Sequence, residues 1–226
     1  MKPDHDQLIG DLVADLKPVR RAGRIGVWIA AWLAIAFLYS LLMTVATGPM
    51  RPGALHDLID YPWFAGETLL AITAVLTLTW GALRFTIPGA LRPARHFWLT
   101  LIPLLAWVGV YGVGFWHPAH PVSTLGDRGV CFLQIFLFSL PALGLMLWFA
   151  RAQFPLWPRI TGALGGAAAA AIPGALMQFA CMYEPKHILI FHLAPMLASA
   201  VVGALVAPFV LQVRKAVPRR RGASLH

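Results

Sequence analysis

Six stretches of the chain stay apolar for about twenty residues each, at about 27–47, 63–83, 97–116, 130–149, 160–181 and 188–211, and polar residues gather in the short intervals between them. A segment of that length can cross about 30 Å of hydrocarbon while an α-helix satisfies its own N–H and C=O groups. The pattern therefore predicts six transmembrane helices, antiparallel from one to the next because their connections are short. Residues 6–24, DQLIGDLVADLKPVRRAGR, follow a different rule. Leu8, Ile9, Leu12, Val13 and Leu16 recur at steps of one, three and four, which on a 3.6-residue period makes one apolar stripe. Asp6, Asp11 and Asp15 lie off that stripe, and Pro18 ends the helix just before Arg20, Arg21 and Arg24. The expected fold is an all-α membrane protein. A short amphipathic helix lies in an N-terminal partner-binding segment at 1–26, a six-helix bundle spans 27–211 and a basic tail covers 212–226.

Composition agrees with a lipid solvent, since 59% of the 226 residues are hydrophobic and 12% charged, against about a quarter charged in soluble domains. The first span begins late, runs long and lacks a small-residue cleavage site, so it reads as a retained helix and not a signal peptide. A net charge of +9 would suggest nucleic acid in a soluble protein, but its placement has another cause. Of the 18 Lys and Arg residues, all but Arg51, Arg128 and Lys186 fall at one side of the predicted membrane. The positive-inside rule then places both termini in the cytoplasm. The basic tail reads as a topology anchor and a contact for lipid headgroups, with no direct binding of nucleic acid.

With that topology the chemistry-bearing residues collect at the outer face. Asp57, Asp60, Glu67, Asp127 and Glu184 lie there, with His56, His117, His120, His187 and His192. Cys131 begins the fourth span and Cys181 ends the fifth, so antiparallel neighbours would hold them at similar depth. Two readings stay open. The cysteines are a structural bridge or unrelated buried thiols, or they are a reactive pair that senses oxidants or soft metals. In the second reading Cys131, Cys181, His192 and Glu184 offer mixed sulfur, nitrogen and oxygen ligands. The spacing is not that of a zinc motif.

Glu67, one turn into the second span, would face the bundle or reach the outer interface. Gly162, Gly165, Gly166 and the alanines at 167–171 give the fifth span a small surface suited to close helix packing. Pro103, Pro141, Pro173, Pro195 and Pro208 are expected to kink spans three to six. The N-terminal helix carries Asp on its polar face, where lipid-surface helices carry Lys and Arg, so a protein with an apolar groove and basic rim suits it better than an anionic leaflet.

These features carry a resemblance. The opening LIGDLVADLKPVRR, six spans with arginine-rich inner loops, Cys131 in DRGVCFLQ with SLPALGL following, Cys181 at a span boundary with an acidic residue soon after, and Phe191-His192 together resemble the NrsF family of membrane anti-sigma factors. The resemblance implies a regulator and no enzyme, resident in the bacterial inner membrane. Its cytoplasmic N-terminal segment would hold an extracytoplasmic-function sigma factor until heavy-metal or oxidative stress releases it. It also implies that Cys131 and Cys181 are the sensor thiols, and that the surface of Leu8, Ile9, Asp11, Leu12, Val13, Asp15 and Leu16 takes the partner. No resident cofactor is expected beyond a transient heavy-metal ion as signal. A membrane thiol oxidoreductase and a metal transporter are the competing classes. The first has no CxxC, and the second has no acidic residue at mid-depth to continue a path beyond Glu67 and His192.

Overall fold

The computed structural model describes residues 9–10, 13–14, 25–87, 93–118, 120–153 and 155–211. Its elements are α1 (Ile25–Ala46), α2 (Asp57–Asp60), α3 (Pro62–Arg84), α4 (Pro93–Val113), α5 (Cys131–Arg151), α6 (Pro158–Ala180), α7 (Pro185–His187), a π-helical segment (Ile188–Leu193) and α8 (Ala194–Val210). Among the described residues six helices are long and apolar enough to cross a membrane, the sixth running Pro185–Val210 through α7, the π segment and α8. No strand occurs among the described residues beyond one isolated antiparallel bridge between Ser123 and Tyr183. Of the N-terminal stripe, Ile9 and Val13 have helical backbone and exposed side chains. Leu8, Asp11, Leu12, Asp15 and Leu16 lie outside the described residues, as does the basic tail at 212–226.

The helices begin and end where their residues dictate. α3, α6 and α7 each start on proline, which lacks the N–H that a first helical turn leaves unbonded. Pro103, Pro141, Pro173 and Pro208 lie inside helices, whereas Pro195 is the second residue of α8. It follows a widened turn in which the Ala194 N–H bonds the Leu189 carbonyl five residues back. Proline has no N–H to return to the carbonyl four residues before it, so a wider turn just ahead of it is sterically tolerable.

α6 is the central helix, packing on α8, α3, α5 and α1, and every residue from Thr161 to Gly174 is buried except Ala163. Its closest partner is α8. A Cβ added at Gly162 would collide with the Gly203 backbone, one at Gly166 with the Ser199 backbone, and one at Gly203 with the Gly162 backbone. Gly162 and Gly166 are four residues apart, as are Ser199 and Gly203, so two small-residue rows face each other and the backbones touch. The small-residue surface expected for the fifth span is this seam. By contrast Leu38, Leu42, Leu197, Leu205 and Phe209 point outward from α1 and α8, as lipid-facing side chains do.

One end of the bundle is closed by its loops. Arg51 N–H bonds the Phe179 carbonyl at 2.9 Å, and Ser123 and Tyr183 exchange two backbone hydrogen bonds. Arg128 donates to the Thr44 and Pro49 carbonyls at 3.1 and 2.6 Å, satisfying acceptors at the C-terminal end of α1. These contacts bring the 47–61, 114–130 and 181–184 connections together above the ends of α1, α5 and α6. Cys131 follows one of these connections and Cys181 opens another, and both are buried.

Candidate functional site: a buried thiol–imidazole cluster

Cys131 is the first residue of α5, and its thiol donates to the Arg128 carbonyl at 3.0 Å. Cys181 follows the last residue of α6 with extended backbone, its N–H held by the Met177 carbonyl. The two sulfurs lie 3.1 Å apart, both side chains are fully buried, and both are free thiols. Antiparallel neighbours thus place the pair at one depth.

The imidazoles reach the thiols by way of the π segment. On an α-helix, residues five apart point about 140° away from each other. The five-residue hydrogen bonding of a π turn stacks them on one face instead. His187 and His192 have that spacing, and their rings stand perpendicular with centroids 5.2 Å apart. His187 Nε2 lies 3.4 Å from Cys181 Sγ. His192 is fully buried, and neither of its ring nitrogens has a well-formed hydrogen bond. One ligand atom from each of Cys131, Cys181, His187 and His192 falls within 4.8 Å of all the others. Gly174 of α6 faces the His192 carbonyl across a gap in which a Cβ would stand 3.0 Å away, so the π segment lies directly against α6.

Three of the four ligands read from the sequence meet here, and His187 joins them. Glu184 does not belong to the cluster; it caps α7 with extended backbone and is half-buried. On a regular α-helix the two histidines would point away from each other, so helical spacing alone does not bring His187 to the site of His192. The signal that marks it is Pro195 downstream, a residue that an uninterrupted α-helix accommodates poorly.

A second polar group lies beside the cluster. Glu67 is buried, as expected for a residue facing the bundle, and the Tyr183 hydroxyl donates to its two carboxyl oxygens at 2.9 and 3.1 Å. Gln178 donates to the Tyr111 hydroxyl at 2.5 Å. Arg51 pairs with Asp57 at 2.7 Å, and His120 Nε2 lies 3.3 Å from the same carboxylate. Glu67, Arg51, Asp57 and His120 therefore tie this end of the bundle together, and among the described residues no carboxylate belongs to the thiol cluster.

The family model for NrsF, negative regulator of sigma F, matches residues 12–212. The chain belongs to the NrsF family. Its members are by description negative regulators of a sigma factor, so the buried thiols and imidazoles lie in a regulator's membrane bundle. No curated protein and no solved structure matches the chain.

Proposed function

We propose that this NrsF-family protein holds an extracytoplasmic-function sigma factor at the bacterial inner membrane and releases it when Cys131 and Cys181 react with a heavy-metal ion or an oxidant. Both termini face the cytoplasm, and the thiol end faces the opposite compartment. The partner binds the N-terminal surface of Leu8, Ile9, Asp11, Leu12, Val13, Asp15 and Leu16, whose apolar stripe and acidic flank suit a groove with a basic rim. The observation that carries the reading is the meeting of the family match with a buried pair of free thiols 3.1 Å apart. An oxidant such as dichromate would take two electrons and two protons from the pair, forming one S–S bond. A metal ion would displace the two thiol protons and take both sulfurs.

Either event changes what joins the start of α5 to the end of α6, and α6 is the helix on which most others pack. To turn a 99:1 bound population into its reverse, the signal must supply about 5.5 kcal/mol of differential binding. Metal–thiolate bonds are of ample strength for that. The protein acts by binding and carries out no turnover.

The test is co-purification from unstressed native membranes. A sigma factor should be retained by the wild-type chain and lost from a Leu12→Asp, Leu16→Asp variant that inserts equally well, because two carboxylates cannot enter an apolar groove without large desolvation cost. Failure of the wild type to retain any sigma factor would overturn the reading.

A further inference from the structure

We propose that Cys131, Cys181, His187 and His192 form a single four-ligand site for a divalent d10 cation of the zinc and cadmium class, assembled by the π turn. The proposal rests on the reading of the two cysteines as the sensor, and adds to it the imidazole ligands, the coordination and the charge of the ion.

Four observations support it. The ligand atoms already lie within 4.8 Å of one another and come from three separate helical segments, so one ion would tie α5, α6 and the sixth span together. Two sulfurs with two imidazole nitrogens form the donor set that tetrahedral zinc-like ions take. His192 buries two ring nitrogens with no well-formed hydrogen bond, and an ion at the cluster would engage one of them. Finally, Ile188–Leu193 adopts a π turn, which aligns His187 with His192 and is a feature frequent at functional sites.

Charge then selects the ion. Two thiolates and two neutral imidazoles cancel a 2+ ion, leaving a neutral buried site. A monovalent soft ion would leave the site neutral only if one thiol kept its proton, so one proton released instead of two distinguishes it. Loading is a ligand exchange without electron transfer. Two S–H bonds break, two S–metal bonds form, both protons pass to the buffer and both imidazoles bind as neutral donors.

The experiment uses the full chain, reduced and chelator-treated, in lipid nanodiscs and titrated with Cd²⁺ alone. The readouts are the ultraviolet thiolate-to-cadmium band, protons released and the ¹¹³Cd resonance. The wild type should bind one ion per chain with release of two protons and a ¹¹³Cd shift in the range of mixed sulfur and nitrogen ligands. His187→Gln and His192→Gln should each weaken binding by about tenfold or more, while Glu184→Gln binds as the wild type does. Zn²⁺ in large excess should compete with Cd²⁺ for the same single site.

Cadmium affinity and ¹¹³Cd shift unchanged in both histidine variants would overturn the four-ligand site. So would a Glu184→Gln variant that loses binding. His187 is half-buried, so its variant carries the test if His192→Gln fails to insert. An oxidation arm keeps the two readings separate. If diamide still releases the sigma factor from wild-type membranes while Cd²⁺ binds through sulfur alone, the sensor stands and the imidazole site falls. If neither reagent releases it, the sensor reading itself fails.

Discussion

Along α6 and the sixth span, two stretches of contact differ in what fills them. Between Gly162, Gly166, Ser199 and Gly203 there are no large side chains, and backbone meets backbone. Toward one end of the same two helices lie Cys181, His187 and His192, where the π turn replaces regular packing with polar side chains. The seam has a single way to pack, because any added carbon meets main chain. The cluster has room to change its bonding, because thiols and imidazoles can lose protons, oxidise or take a metal. A change of packing at the cluster is expected to move the helices as bodies against this close-packed seam, which is what a bundle needs if chemistry at one end is to alter binding at the other.

The largest expected effect breaks the seam. Gly166→Leu forces the α6 and α8 backbones apart and should cost at least about 3 kcal/mol, read as loss of folded protein from the membrane and early thermal unfolding in nanodiscs. If Gly166→Leu unfolds at the wild-type temperature, the two helices are not locked there and the contrast fails. A smaller effect sharpens the other side of the comparison. Tyr183→Phe removes the hydroxyl that donates to buried Glu67 and should cost about 1–3 kcal/mol. Glu67→Gln keeps an acceptor oxygen and should cost less, as a difference in unfolding temperature between the two variants would show.

The parts legible in the sequence were those governed by hydrophobic length and residue size. Six apolar runs give six candidate spans, and glycines four residues apart give the seam, because both rules act locally along one helix. Cys131 and Cys181 could be paired for a similar reason, since short loops make neighbouring spans antiparallel and set their ends at one depth. His187 was not legible as a ligand, because its alignment with His192 depends on a departure from the α-helical period. Nor was the Tyr183 hydroxyl that meets Glu67, a contact fixed by an extended segment bridged to Ser123 and not by any periodicity. Arg128 belongs with these: its two carbonyl partners lie on distant loop and helix ends that only the closed bundle brings near.

The most direct test of the central claim is the amount of sigma factor that stays on membranes before and after cadmium, compared between the wild type and the Cys131→Ser, Cys181→Ser variant. The account predicts that both hold the partner without stress, that cadmium strips it from the wild type, and that the double variant keeps it. Equal release from the two would contradict the account, because the signal would then reach the partner without the thiols.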